Sequence, residues 1–199
     1  RPDDVFDIAK SYVDAGADMI ETDSFGGTGY KLEHYHLKDK VSAINEAAAK
    51  ISKKAAGKDK WVIASIGPTG KMIAMGDVTE EDFYNSFKEQ AIALEKGGAD
   101  AVCIETMSDL AEAKMAIRAA KENTKLEIIC TFTFEMIKNG DYRTMMGVSP
   151  AEAAKMSVEE GAHIIGANCG NGFERMIDIV KEIRKAYPKT PILIHANAG

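Results

Sequence analysis

An α/β fold built from parallel strands and helical crossovers is predicted by two patterns that run through all 199 residues. Short β-rich apolar segments alternate with amphipathic segments, as in repeated strand–helix units. A weak internal repeat, Gly16-Ala17-Asp18, Gly98-Ala99-Asp100 and Gly161-Ala162-His163, leads each time from a helix into a strand. The first two of those strands end alike, in Glu21-Thr22 and Glu105-Thr106.

The expected strands cover residues 18–21, 61–66, 101–105, 127–134, 163–167 and 191–195. Helical stripes lie between them: Val5, Phe6, Ile8, Ala9, Tyr12 and Val13; then Phe83, Phe87, Ala91 and Leu94; then Ile177, Val180 and Ile183. Thr79-Glu80-Glu81-Asp82 supplies a cap and acids for a helix start. Ser149-Pro150-Ala151-Glu152 adds proline at the first helical position. Gly16, Gly97-Gly98 and Gly161 stand where helices should stop. These patterns fit a doubly wound open sheet and a (β/α)8 barrel equally, and no Gly-x-Gly-x-x-Gly or P-loop favours the open sheet.

Composition narrows the function. Hydrophobic residues make up 45% and charged residues 28% of the chain, ordinary for a globular protein with one sizeable core. A net charge of −6 argues against a nucleic-acid partner. No apolar run is long enough for a membrane span, and the polar opening Arg1-Pro2-Asp3-Asp4 has no signal-peptide pattern. Three scattered cysteines make no disulfide framework, and with ten methionines they fit a reducing cytoplasm.

In either architecture the working residues lie just beyond the strands' carboxyl ends. Cys169 follows a strand directly, between Asn168 and Gly170, so its thiol is a candidate nucleophile or metal ligand. Glu21, Asp23 and Glu105 place carboxylates at strand ends, where a ligand ammonium or an internal ion pair would compensate them. His195 ends a strand and is a further candidate. His163 begins one, at the opposite end. Cys103 and Cys130 read as core filler within apolar strands, and His34 and His36 as surface residues.

Several segments together resemble the homocysteine S-methyltransferase family. They are Tyr12 through Phe25, Ile66-Gly67-Pro68-Thr69-Gly70, Gly98 through Thr106 with Ala113-Lys114, Gly166-Ala167-Asn168-Cys169-Gly170, and Asn197-Ala198-Gly199. The resemblance implies a TIM (β/α)8 barrel, present over residues 1–199 from about the first helix to the seventh strand. On that map the first strand is missing, as is the C-terminal strand with the family's adjacent cysteine pair. It implies zinc-dependent methyl transfer to the thiol of homocysteine, giving methionine. Cys169 becomes a zinc ligand, and Glu105 the acid that binds the substrate ammonium. Asp23, Glu21 and Asn168 would also face the substrate. Relatives use several methyl donors, including methylcobalamin on a partner domain or separate corrinoid protein. Asp23 departs from the pattern, since many relatives carry asparagine there. A corrinoid-linked methyltransferase with another donor or acceptor, a metal-free barrel enzyme and a non-catalytic binding relative are the alternatives.

Overall fold

A computed structural model describes residues 1–198. The chain alternates as its sequence predicts. Helix α1 (Pro2–Asp14) leads to strand β1 (Met19–Glu21), then to short α2 (Gly29–Glu33), α3 (Val41–Ala56) and β2 (Trp61–Ile66). Next come α4 (Glu80–Lys96), β3 (Ala101–Met107), α5 (Leu110–Asn123) and β4 (Glu127–Phe132). A small hairpin, β5 (Glu135–Met136) and β6 (Tyr142–Arg143), precedes α6 (Pro150–Glu160), β7 (Ile164–Gly172), α7 (Phe173–Ala186) and β8 (Ile192–Asn197). The start signals act as expected. Thr79 with Asp82 and Ser149 with Glu152 both close reciprocal capping boxes, and Gly161 ends α6 in the left-handed region at φ 111°.

Six of the described strands form one parallel sheet in the order β1-β2-β3-β4-β7-β8. The sheet is curled, as part of a barrel would be, and β1 and β8 are not paired with each other among the described residues. A (β/α)8 barrel present here from about its first helix to its seventh strand is expected from sequence, and the described residues show a six-stranded arc consistent with part of such a barrel. Several strand boundaries moved, and β3 and β8 each run two residues past the expected end. β4 ends two residues before the predicted window does, and β7 runs on through Gly172. The irregular register of β7 against β8 between Asn168 and Gly172 marks that extension. The hairpin β5–β6, absent from the sequence reading, turns through Asn139 and Gly140, the latter at φ 89°.

Alternation along the strands separates two faces. Val62, Ala64, Ile66, Val102, Ile104, Ile128 and Phe132 turn outward, into one core with Phe83, Phe87, Leu94, Ile117 and Ile179 of the helices. On the inner face Ile63, Cys103 and Ile129 form a second apolar layer with Ala101, Ile164 and Leu193. Two residues further along the strands the inner face becomes polar: Ser65, Glu105, Thr131 and His195. That change of character locates the site.

The repeated Gly-Ala-Asp segments register the opposite end of the sheet. Asp100 Oδ2 accepts from the Val62 N–H at 2.8 Å and pairs with Lys53 at 2.7 Å. His163 plays the corresponding part, its Nδ1 accepting from the Ile128 N–H at 3.0 Å. Asp18 pairs with Lys60 at 2.8 Å. His163 therefore serves the sheet's amino-terminal edge. No helix among the described residues is long and apolar enough to cross a membrane.

β7 and β8 approach so closely that a Cβ on Gly166 would lie 1.7 Å from the Leu193 carbonyl oxygen. Gly166→Ala is therefore expected to force these strands apart and lower stability by about 3 kcal/mol. Urea unfolding checks this, and an unchanged midpoint would contradict it.

Candidate functional site

The carboxyl ends of β1, β3, β7 and β8 open into a cavity of about 870 Å³ that is also bounded by α1. Glu21, Asp23, Glu105, Asn168, Cys169 and His195 all line it. The structure thus brings together every strand-end residue singled out from the sequence. His34 and His36 lie elsewhere, both exposed beyond α2. Gly199, the last residue of the Asn-Ala-Gly segment, lies outside the described residues.

Two carboxylates and an imidazole dominate the polar wall. Donor atoms of Glu21, Glu105 and His195 all lie within 4.8 Å of one another, and His195 Nδ1 is 3.8 Å from Glu21 Oε1. Glu105 is oriented by a hydrogen bond donated from Ser65 Oγ. Burial pushes the Glu21 carboxyl above its ordinary value, the Glu105 charge adds to the rise, and His195 offsets part of it.

The loop after β1 is laced to β2. Ser24 Oγ donates to the Ser65 carbonyl at 2.7 Å, and Thr22 Oγ1 accepts from the Ser65 N–H at 3.0 Å. These bonds bury Thr22 and Ser24 and leave Asp23 between them, exposed toward the cavity. Polar residues within the helices hold the rest of that loop. Asn45 Nδ2 donates to the Gly27 carbonyl and Gln90 Nε2 to the Ser24 carbonyl, each at 2.8 Å. Buried Glu112 of α5 likewise fixes the loop after β2, accepting from the Thr69 N–H at 2.7 Å and hydroxyl at 2.6 Å. Burial raises its carboxyl and the Thr69 hydrogen bonds oppose the rise. Sequence reasoning missed Asn45, Gln90 and Glu112, whose only signal was a polar side chain on an apolar helix face.

Cys169 is exposed on the cavity wall and adopts φ 55°, in the left-handed region. Cys103 and Cys130 are buried within β3 and β4, as filler should be. Burial pushes the Cys103 thiol well up, helped by the charges of Glu105 and Glu21, and pushes Cys130 up to about 12. Neither can supply a thiolate near neutral pH. Of the thiolates that a zinc centre of the expected kind would need, the described residues supply one, Cys169. Its exposure on the cavity wall suits a metal ligand. Asn168, by contrast, is buried, and its carboxamide is engaged by Thr106, Thr131 and Cys169.

The raised Glu21 carboxyl sets a pH dependence. Glu21 is neutral in both folded and unfolded states well below its ordinary value of 4.5, and its ionisation opposes folding as pH rises through the higher folded value. Glu21→Gln should stabilise the protein at neutral pH, with the gain vanishing in acid. Urea midpoints at both pH values test this, and a variant no more stable than wild type at neutral pH would contradict it.

Comparison with known proteins bears on the same residues. The chain is 29% identical to a methionine synthase of Mycobacterium leprae over its whole length, and 27% identical to that of Mycobacterium tuberculosis. It spans 17% of the length of each. Among solved structures, the metallated form of the homocysteine methyltransferase MmuM from Escherichia coli superposes with a TM-score of 0.81 at 18% identity, covering 98% of this chain and 72% of that one. The oxidised form gives 0.83, at 18% identity, over 100% and 72%. A 3-dehydroquinate dehydratase from Enterococcus faecalis matches less well, with a TM-score of 0.57 at 15% identity over 99% and 75%. At these identities the structural matches speak to the fold alone. The family model for homocysteine S-methyltransferase matches residues 1–199, and the chain belongs to that family.

Proposed function

We propose that this chain binds homocysteine and presents its thiol for methylation, giving methionine. The observation that carries the reading is one cavity holding both an exposed cysteine thiol and a facing pair of carboxylates. A thiol-bearing amino acid needs both kinds of partner, one for sulfur and one for the ammonium.

Glu105, with Glu21 beside it, binds the ammonium. A cation placed between two carboxylates relieves their mutual repulsion, so the site is biased toward a positive group. Ser65 holds Glu105 in place before the substrate arrives, which lowers the ordering cost of binding. Asp23 adds negative charge at the cavity edge, and His195 balances Glu21. Cys169 supplies one sulfur ligand to zinc. Zinc, when bound, supplies Lewis acidity that keeps a coordinated substrate thiol deprotonated near neutral pH. Val5, Ile8 and Tyr12 of α1 add apolar surface to the cavity that suits the methylene chain of the substrate. The methyl donor is proposed to be methylcobalamin carried on a partner domain or separate corrinoid protein, in keeping with the methionine synthase relatives.

A second reading, methyl transfer involving a different donor or acceptor, is favoured by Asp23, the extra carboxylate at the cavity edge. Competition between homocysteine and other thiols separates the two readings.

Two measurements test the proposal. Cys169→Ala should lose most of the zinc found per chain in the wild-type protein, by elemental analysis. Wild-type protein that takes up no zinc would remove the metal from the mechanism. Glu105→Gln, which keeps the shape and drops the charge, should raise the KM for homocysteine about 10- to 100-fold, the worth of one hydrogen bond to a charged group. An unchanged KM would contradict the assigned role.

A further inference from the structure

Thr106 and Cys169 are two of the three non-glycine residues with positive φ among those described, at 61° and 55°. That region is disfavoured for residues with a Cβ, and especially for a β-branched threonine, so each needs outside support. Both are held by one side chain. Asn168 Oδ1 accepts from the Thr106 N–H at 2.8 Å, and its Nδ2 donates to Thr106 Oγ1 at 2.7 Å. The same Nδ2 donates to Cys169 Sγ at 3.3 Å. Thr131 Oγ1 donates to Oδ1 at 2.8 Å, and Thr133 Oγ1 donates to the Asn168 carbonyl at 2.9 Å.

A carboxamide has two donor hydrogens and an oxygen that accepts two bonds. All four are used inside the protein, and the residue is 1% exposed. Asn168 therefore has no hydrogen bond left for a substrate, although it sits on the cavity wall. The partners of its side chain lie on β3, β4 and β7. Thr106 directly follows Glu105, and Cys169 directly follows Asn168 itself.

We propose that Asn168 is a positioning residue that locks the Glu105 carboxylate of β3 and the Cys169 thiol of β7 into one fixed geometry. The assignment builds on the proposed function, since it matters most if the two groups act on opposite ends of one substrate. The N–H···S bond also acts as an outer partner of the sulfur, of the kind that orients a ligand and tunes its metal.

Two variants separate the two halves of the clamp. Asn168→Asp keeps an acceptor for the Thr106 N–H and loses both donors. Asn168→Ala loses the whole carboxamide and keeps only the backbone carbonyl bond from Thr133. Three readouts apply to the whole protein: hydrogen exchange of the Thr106 amide, the cobalt–thiolate absorption band on titration with Co²⁺, and the KM for homocysteine. Asn168→Asp should retain Thr106 protection and weaken Co²⁺ binding about 10- to 100-fold. Asn168→Ala should weaken Co²⁺ binding likewise, speed Thr106 exchange at least about tenfold and raise KM by a similar factor, since one lost hydrogen bond accounts for that much. A lower melting temperature with exchange, cobalt band and KM all unchanged would overturn the assignment and leave Asn168 a merely structural residue. Wild-type protein that binds no Co²⁺ would instead count against the metal reading of Cys169. Unaltered Thr106 exchange in Asn168→Ala would by itself overturn the positioning role.

Discussion

Parallel pairing sends the carboxyl ends of all six strands of this sheet to one side, and every functional feature of the molecule follows from that constraint. Groups far apart in the chain meet there because each strand contributes its inward residue at one level. Glu21 and His195 stand at opposite ends of the sequence and 3.8 Å apart in space. The apolar layer of Ile63, Cys103 and Ile129 lies one inward position earlier along the strands, beneath the polar groups.

Holding two carboxylates so close costs free energy, since burial and like charge both oppose ionisation of Glu21. The fold limits the cost with His195 and with the Ser65 hydroxyl on Glu105. What remains is a standing preference for a cation, which the proposed function assigns to an amino-acid ammonium. The sulfur side of the cavity has a different character. Cys169 is exposed and held in an unusual backbone conformation, whereas the other two cysteines are sealed in the core with their thiols protonated. The site therefore has a charged pole and a thiol pole, joined by the Asn168 carboxamide.

Much of this was legible in the sequence because it rests on local signals. The capping boxes at Thr79 and Ser149, the apolar stripes, the Gly-Ala-Asp repeat and the apolar strands placed α1, α4, α6 and α7 and all six strands of the large sheet. Strand-end position alone marked Glu21, Glu105, Cys169 and His195, which share the cavity. The resemblance, rather than periodicity, separated barrel from open sheet, since both use the same alternation. What sequence did not show depends on contacts across strands. Asn168 reads as a substrate-facing residue until the four hydrogen bonds of its carboxamide are traced. Glu112, Asn45 and Gln90 look like helix polarity, and only packing reveals that each holds a loop from behind. The β5–β6 hairpin has only two residues per strand, too few for any alternation to register.

The central claim is that the carboxylate pole of this cavity recognises the amine of a thiol-bearing amino acid. Calorimetric titration with homocysteine and with 4-mercaptobutanoate, the same chain without its amine, tests it most directly. The account predicts that homocysteine binds about 10- to 100-fold more tightly, the contribution of one charge-assisted hydrogen bond, and that Glu105→Gln erases the difference. Equal affinity for the two ligands in the wild-type protein would contradict it and leave the carboxylate pair without an assigned ligand.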